Sequence, residues 1–352
     1  MPLFEVKQVD KDFYENNLKE FLPDKMVDIH CHVWLDKFKK ERFSPNCVSW
    51  PSLVAVDNSI EDLLETYRLM FPDKKVTPLI FSSVGRDDDF KAANEYVKES
   101  SQKYNVPALL YSRPWESAEE LEKELLEGGF LGVKSYLANA PKYIPDDEIR
   151  IFDFFPPEHL KVLDKYKMIM MCHIPRSGRL KDPVNLAQLL EIEEKYPNIK
   201  LIMAHIGRAY SPEDIGDGFK VLSQTKNLMI DFCANTLQLA MEGALDCVGP
   251  QRVLFGSDMP ILRMRMRRIS ENGRYINLIA KGAYGDVSGD SHMREVDKEL
   301  SDTFTFFMYE EIAAFKRAAE SRKLTKKDIE DVFYNNGKKI IDETKKNLLQ
   351  YK

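Results

Sequence analysis

A short stretch near the start of the chain decides the fold: Met26-Val27-Asp28-Ile29-His30-Cys31-His32. Apolar and polar residues alternate along it, and this alternation predicts a β-strand. Because successive side chains of a strand point to opposite faces, Asp28, His30 and His32 share one face. Imidazole is the commonest metal ligand, so two imidazoles aimed at one point provide half of a metal site. Taken alone, the pair also fits a surface or a core position.

Further apolar runs follow along the chain and predict more strands. Together with the first stretch, the predicted strands are 26–32, 76–84, 106–112, 131–137, 168–174, 200–206, 228–234 and 252–258. Most are apolar throughout, as expected of strands that helices cover on both faces. Helical patterns separate them, and several begin with a capping sequence such as Ser117-Ala118-Glu119-Glu120. This alternation over 352 residues predicts an α/β fold, a (β/α)8 TIM barrel in one domain, 1–352. A doubly wound open sheet is the alternative.

Two connections are long, residues 33–58 after the first strand and residues 259–293 after the eighth. Both are expected at the carboxyl ends of the strands, where the active sites of such barrels lie. Long loops there usually form a lid or a wall of the site, although structural elaboration is the plainer explanation. A helical extension is expected at the C-terminal end of the chain.

The composition predicts a globular protein that binds neither nucleic acid nor membrane. A net charge of −6 disfavours nucleic acid, and no apolar run approaches the about 20 residues that a membrane span needs. The first residues lack the basic and apolar segments of a signal peptide. The cysteines are odd in number and widely spaced, which predicts free thiols in a reducing compartment, the cytoplasm. They are Cys31, Cys47, Cys172, Cys233 and Cys247.

Four of the six histidines fall at the ends of predicted strands. His30 and His32 end the first strand, His173 ends the fifth and His205 ends the sixth. A barrel would bring these side chains together, because the carboxyl ends of its strands meet at one rim. The histidines are therefore candidates for a single site.

The eighth predicted strand ends in Gly256-Ser257-Asp258. A carboxylate at the rim of an apolar strand is costly to bury unless it is paired or bound to a metal. Asp258 is therefore a further candidate for the site, with a capped turn as the structural alternative. Asp28 is expected to support a neighbouring residue from deeper in the barrel. Asp231, in the seventh strand, has no role that the sequence assigns.

Taken together, these motifs resemble the amidohydrolase superfamily, and within it the amidohydrolase-2 branch of TIM-barrel metal enzymes. The shared pattern is His-x-His on strand one, His on strands five and six, and Gly-Ser-Asp on strand eight. The branch includes amino-carboxymuconate decarboxylase, related aromatic-acid decarboxylases, hydratases and lactonases. The resemblance spans residues 26 to about 260, and residues 335–341 resemble the closing helix of the family.

The resemblance implies one divalent metal bound by His30, His32, His173 and Asp258, with water completing the shell. Independently of it, three imidazoles and a carboxylate suit Zn²⁺, with Mn²⁺ or another first-row metal possible. His205 matches the histidine that stays off the metal and transfers a proton, with a structural role as the alternative. Asp258 is the other expected catalytic residue.

Cationic residues also recur at or beyond strand ends. Lys134 ends the fourth strand. Some superfamily members carry a carbamylated lysine there that bridges two metals, whereas in this branch the lysine meets an anionic substrate or an acid. Because the guanidinium fork suits carboxylates, Arg113, Arg176 and Arg208 are expected, with Lys134, to bind a carboxylated substrate. The arginine-rich stretch 263–268 is either a lid over that acid or a solvated loop or interface.

The three tryptophans fall in or beside the long loops and suggest a flat substrate. They are Trp34, Trp50 and Trp115.

The predicted function is a metal-dependent hydrolase that uses metal-activated water on a small carboxylated molecule, a lactone, an amide or an ester. The alternatives on the same site are a non-oxidative decarboxylase or a hydratase, since these chemistries share fold and ligands. A sugar-acid isomerase on the same scaffold and a non-catalytic metal- or ligand-binding barrel are further alternatives. The chain is expected to form a homo-oligomer.

Overall fold

The computed structural model describes residues 3–40 and 54–351, so Cys47, Trp50 and much of the predicted loop 33–58 lie outside the described residues. All eight predicted strands are present, although most are shorter than predicted. They are β1 Lys25–His32, β2 Lys75–Phe81, β3 Leu110–Tyr111, β4 Gly132–Lys134, β5 Ile169–Cys172, β6 Lys200–Met203, β7 Met229–Asp231 and β8 Val253–Leu254. The carboxyl-terminal parts of the predicted runs 131–137, 168–174, 200–206, 228–234 and 252–258 are loops. In these loops the backbone leaves the hydrogen-bonded sheet, and several of the predicted site residues lie there.

The eight strands run parallel, β1 with β2 and β3 to β8 in chain order. Backbone hydrogen bonds join the two sheets at both edges. On one side, the N–H of Leu109 donates to the Ile80 carbonyl (2.9 Å) just before β3. On the other, the N–H of Ile29 donates to the Phe255 carbonyl (3.0 Å) just after β8. The eight strands therefore follow one another in a continuous hydrogen-bonded order.

Helices connect the strands and cover them with apolar side chains. They are α1 Gln8–Phe13, α2 Ile60–Met70, α3 Phe90–Tyr104, α4 Ala118–Gly128, α5 Pro157–Tyr166, α6 Pro183–Lys195, α7 Gly218–Leu222, α8 Gln238–Val248, α9 Lys298–Ser301, α10 Phe307–Ser321, α11 Lys326–Glu330 and α12 Asn336–Leu348. The predicted capping box at the start of α4 is present, since the Ser117 hydroxyl accepts the Glu120 N–H. Among residues 3–40 and 54–351, no helix is long and apolar enough to cross a membrane.

The long connection after β8 contains a second, smaller sheet. It is formed by β9 Arg267–Glu271, β10 Arg274–Ala280 and β11 Met293–Val296. Arg263 is buried and donates to the Asn58 side chain, and Arg265 donates to Asp10 at 2.6 Å. Arg263 and Arg265 are thus held within the fold by partners that lie far away in the sequence, so this part of the arginine-rich stretch is not a solvated loop.

Four cysteines are free in the described parts of the chain, as expected, and three of these are buried. The free thiols belong to Cys31, Cys172, Cys233 and Cys247.

Gly132 places β4 close to β5, and we expect its replacement by alanine to destabilise the protein strongly. Its φ is +152°, and a Cβ there would lie 1.9 Å from the backbone oxygen of Ile169. Gly132→Ala should therefore lower the free energy of unfolding in denaturant by about 3 kcal/mol or more. The control is Gly129→Ala, where φ is +69° and nothing lies within 4 Å of the added Cβ. That variant should cost only about 1–2 kcal/mol, and equal losses in the two variants would contradict the close approach.

Candidate metal centre

Three of the predicted metal ligands come together at the carboxyl ends of β1 and β8. His30 and His32 lie on the same face of β1 at its carboxyl end, and Asp258 follows β8. The Asp258 backbone N–H donates to the His30 carbonyl at 2.7 Å, which fixes the carboxylate beside the two rings. The distance from Asp258 Oδ1 is 3.2 Å to His32 Nε2 and 3.6 Å to His30 Nε2.

Hydrogen bonds orient both rings toward Asp258. His30 Nδ1 lies 2.9 Å from Asp231 Oδ2, and His32 Nδ1 lies 3.1 Å from the Ser82 carbonyl. Both acceptors require a proton on Nδ1, which leaves the lone pair of each Nε2 free. His30 Nε2 is buried and has no hydrogen-bond partner among the described residues. An imidazole held from behind by an acceptor, with its other nitrogen unpaired, is the usual arrangement of a metal ligand.

His173, the fourth predicted ligand, lies nearby but outside this compact group. Among the described residues, His173 belongs to no group of possible ligand atoms that all lie within 4.8 Å of one another. Its ring is centred 5.2 Å from the ring of His205 and 4.8 Å from that of Tyr136. Its Nδ1 is buried without a hydrogen-bond partner, so no such bond fixes the ring through that nitrogen.

A second group of possible ligands lies on the other side of His30. It consists of His30, His205, Asp231 and Cys233, all buried. The Cys233 thiol lies 2.8 Å from Asp231 Oδ1 and 3.0 Å from His205 Nδ1. These polar atoms satisfy one another, so the group is stable without an ion, whereas the unpaired His30 Nε2 on the opposite side is not. The metal is therefore better placed between His30, His32 and Asp258.

Asp231 is a site residue for which the sequence suggested no role. It is fully buried at the end of β7 and lies 201 residues from the ring that it contacts. The one signal in the sequence was a carboxylate inside a short apolar run, where burial demands partners. Asp28 also lies beneath the site, where it accepts the N–H of His30 (3.1 Å) and of Ser257 (2.9 Å) and the hydroxyl of Tyr67 (2.6 Å).

His205 lies just beyond β6 in a turn of unusual backbone conformation. The residues His205–Arg208 all have positive φ, between +51° and +59°. The His205 ring is centred 4.9 Å from that of His30, and its Nδ1 lies 3.2 Å from the Cys233 carbonyl. Burial lowers the pKa of His205 to about 4, so the imidazole is neutral near pH 7. The prediction that His205 ends a strand was wrong, because the chain turns immediately before it.

Electrostatics keep the carboxylate of the site ionised. Burial by itself would raise the pKa of Asp258, but its interactions with the imidazoles of His32, His205 and His30 lower that pKa below its ordinary range. Burial lowers the pKa of His30 and that of His173, which favours the neutral imidazoles that metal binding requires.

Two of the cations near the centre form no ion pair within the part of the chain that the structure describes. Lys134 is buried, and burial lowers its pKa. Across residues 3–40 and 54–351 its ammonium group has no ion pair and lies 5.7 Å from the ring centre of Phe81. Arg208 donates to the Pro175 carbonyl at 3.0 Å, and its positive charge contributes to the low pKa of His173. Both cations are free to meet an anion.

The other two arginines expected to bind substrate are already paired. Arg113 forms ion pairs with Glu116 and, at 3.1 Å, with Glu124. Arg176 Nε lies 3.1 Å from both oxygens of Asp182. Sequence alone could not show this, since whether a cation is free depends on which acid packs against it.

The described tryptophans differ in position. Trp34 is buried, with its ring centre 6.3 Å from that of His32, whereas Trp115 is half exposed under the guanidinium of Arg86.

The family of the chain follows from its sequence. A family model described as Amidohydrolase matches residues 27–268, which is more than half of the chain. The chain therefore belongs to the amidohydrolase family and is an enzyme, as its motifs predicted. The matched residues contain every ligand and cation of the centre described above. No curated protein sequence matches the chain significantly.

Solved structures with a similar fold include three enzymes of different activities. The 4-oxalomesaconate hydratase of Rhodopseudomonas palustris is 16% identical, with a TM-score of 0.54 over 93% of this chain and 98% of that one. A probable 2-pyrone-4,6-dicarboxylic acid hydrolase of Acinetobacter baumannii is 14% identical (TM-score 0.53, 90% and 99%). The 2,6-dihydroxybenzoate decarboxylase of Rhizobium is 12% identical (TM-score 0.51, 91% and 99%). At such low identity these likenesses concern the fold alone.

Proposed function

We propose that this amidohydrolase uses a single divalent metal to activate water for the hydrolysis of a small carboxylated lactone, amide or ester. The observation that carries the proposal is the unpaired, buried Nε2 of His30, which faces His32 and Asp258. Burying a polar atom without a hydrogen-bond partner is costly, and a bound metal ion would provide the missing partner. The function is tested by metal analysis of the purified protein, followed by assays of carboxylated lactones, amides and esters with and without the metal.

We also propose that the eight strands close into a (β/α)8 barrel within a single domain, residues 1–352. The proposal is supported by the hydrogen bonds that link Ile29 to Phe255 and Leu109 to Ile80, since they leave neither β1 nor β2 as an edge strand. Closure places the carboxyl ends of all strands around one centre, where barrel enzymes hold their catalytic residues.

The residues proposed to hold the metal are His30, His32 and Asp258, with His173 as the fourth ligand. Imidazole and carboxylate ligands suit zinc, which we propose over other first-row metals. Bound there, a divalent ion would act as a Lewis acid and lower the pKa of a water molecule. The ring of His173 lacks a hydrogen bond at Nδ1, which leaves it free to adjust toward the other ligands.

The proton chemistry is assigned to His205 and Asp258. His205 donates its Nδ1 proton to the Cys233 carbonyl, so its Nε2 is the nitrogen that can accept a proton. Because the imidazole is neutral near pH 7, it can take a proton from the attacking water and return it to the leaving group. Asp258, kept ionised by the surrounding imidazoles, is a second acceptor.

Substrate carboxylates are proposed to bind Lys134 and Arg208, neither of which forms an ion pair with the residues that the structure describes. A buried ammonium group without a counter-ion is strongly disfavoured, and an anionic substrate would relieve that cost. Arg113 and Arg176 are left out of this proposal because carboxylates of the protein already hold them.

Lys134→Met and Arg208→Met are each expected to raise KM for carboxylated substrates about tenfold or more, with a smaller change in kcat. A contact made equally in the ground and transition states affects binding more than turnover, and a hydrogen bond to a charged group contributes about 1.5–3 kcal/mol. Steady-state kinetics checks this, with small mono- and dicarboxylates as competitive inhibitors.

The matched controls lie at the opposite, amino ends of the strands. Lys200 is a half-buried lysine at the start of β6, and Arg252 donates to backbone carbonyls just before β8, as Arg208 does after β6. Lys200→Met and Arg252→Met should leave KM unchanged. Good turnover of neutral esters, together with failure of carboxylates to react or compete, would contradict the assignment.

Decarboxylation and hydration are the second candidates for the same centre, since similar folds serve a decarboxylase and a hydratase. The mass of the product separates decarboxylation, which releases CO₂, from hydrolysis and hydration, which both add water. An unchanged mass would indicate the isomerase alternative. The expectations of a homo-oligomer and of a cytoplasmic location stay predictions, the first of which light scattering of the purified protein would test.

A further inference from the structure

We propose that Asp231 is a positioning residue that sets the metal affinity of the centre by fixing the ring tautomer of His30 and the turn that carries His205. The inference rests on the proposed function, since it concerns how the metal ligand and the proton-transferring histidine are held. It gives a role to a buried carboxylate that touches neither the proposed substrate nor the proposed metal position.

The two oxygens of Asp231 contact different parts of the centre. Oδ2 lies 2.9 Å from His30 Nδ1. Oδ1 accepts the backbone N–H of His205 at 2.8 Å and that of Cys233 at 3.3 Å. The Cys233 thiol also donates to Oδ1, at 2.8 Å. One side chain therefore connects a proposed metal ligand with the backbone of the proposed catalytic histidine.

The contact with Oδ2 decides which nitrogen of His30 carries the proton. An ionised carboxylate only accepts hydrogen bonds, so a neutral His30 must place its proton on Nδ1. The lone pair is then on Nε2, the nitrogen that faces His32 and Asp258. In the other tautomer, a proton on Nε2 would point into the metal position and block coordination. The choice of tautomer is therefore a condition for metal binding.

The contact with Oδ1 holds a turn that is unfavourable by itself. His205, Ile206 and Arg208 all adopt a left-handed backbone, which costs about 1–2 kcal/mol for each such residue. A charge-assisted hydrogen bond from the first N–H of this turn to a buried carboxylate offsets part of that cost. Asn235 supports the end of the turn by donating to the Ala209 carbonyl at 2.9 Å.

Asp231→Asn tests the inference because it keeps the shape of the side chain and changes only one oxygen. Three donors surround Oδ1, so the amide oxygen should remain there and the NH₂ group should face His30. A donor opposite Nδ1 forces the His30 proton onto Nε2. We expect the Kd for zinc, measured by competition with a chelator, to weaken about 10–100-fold, the usual loss for such a partner.

The tautomer itself provides a readout that requires neither metal nor turnover. In ¹⁵N NMR spectra of the metal-free wild-type protein, His30 should be protonated at Nδ1, and in Asp231→Asn at Nε2. A wild-type His30 protonated at Nε2 would overturn the inference even if the variant failed to fold. So would a folded variant with the wild-type tautomer or the wild-type Kd.

Glu311→Gln is the matched control. Glu311 is also fully buried, it lies close enough for Asp231 to influence its pKa, and it makes no hydrogen bond to an imidazole. This variant should keep the wild-type Kd for zinc and the wild-type tautomer of His30. If it lost as much zinc affinity as Asp231→Asn, the effect of Asp231 would be a general consequence of altering a buried carboxyl group. If the wild-type protein binds no zinc, the proposed function and the effect on metal affinity both fail, while the tautomer measurement still decides whether Asp231 fixes the ring of His30.

Discussion

His30→Ala and His32→Ala are each expected to lose stoichiometric metal and, with it, nearly all activity. Removing either ring leaves only two of the three grouped ligands, and His173 lies outside that group, so the remaining residues should bind a divalent ion far more weakly. The loss of affinity should exceed the about 10–100-fold that removal of an outer partner costs. Metal content per chain and kcat/KM, both measured on purified protein, check this result.

The control for this prediction is a histidine elsewhere in the fold. His159 is buried in α5, and its Nε2 lies 2.9 Å from the Glu116 carbonyl. His159→Gln should retain the metal and the activity of the wild-type enzyme. One metal per chain in purified His30→Ala would remove His30 from the ligand set. Two metals per wild-type chain, together with a carbamate mass on Lys134, would favour a bridged centre instead.

His205→Asn is expected to keep the metal but to lower kcat about a hundredfold or more, the usual scale for a general acid–base group. The reason is that His205 lies outside the group formed by His30, His32 and Asp258, and its Nδ1 proton is held by the Cys233 carbonyl, so we propose that its Nε2 transfers protons. Asparagine can still donate to that carbonyl but cannot accept and return a proton at the position of Nε2.

The measurement is a comparison of metal content with single-turnover kinetics in the wild-type and variant enzymes. His292→Asn provides the control, since His292 stacks on Tyr275 and its Nδ1 lies 2.9 Å from the Tyr275 carbonyl. Loss of the metal in His205→Asn would make His205 a ligand, and unchanged turnover would make it a structural residue.

Much of the fold and half of the centre followed from local sequence patterns. Strand alternation placed His30 and His32 on one face, and the apolar run before Asp258 placed that carboxylate at a rim. Both patterns are properties of neighbouring residues, and the same is true of the capping sequence at Ser117. The family match confirmed the resemblance that these motifs indicated.

The remaining features depend on contacts between distant residues. The bond between Asp231 and His30 spans 201 residues, and that between Asp10 and Arg265 spans 255. Arg113 and Arg176 looked free for a different reason: their acidic partners lie only 3 to 11 residues away, but a local pattern does not show which side chains pack together. The left-handed turn at His205 was also hidden, because an apolar run does not reveal where the backbone leaves the sheet.

The central claim is that a metal lies on the Nε2 side of His30, and a crystal structure of the zinc-loaded protein tests it most directly. Anomalous difference density collected at the zinc edge should show one peak per chain, within coordination distance of His30 Nε2, His32 Nε2 and the Asp258 carboxylate. Zinc bonds to imidazole and carboxylate atoms are about 2.0–2.2 Å long, so the ligands can be assigned without ambiguity. A peak beside Cys233 and Asp231 on the Nδ1 side, or no peak at full zinc loading, would contradict the account.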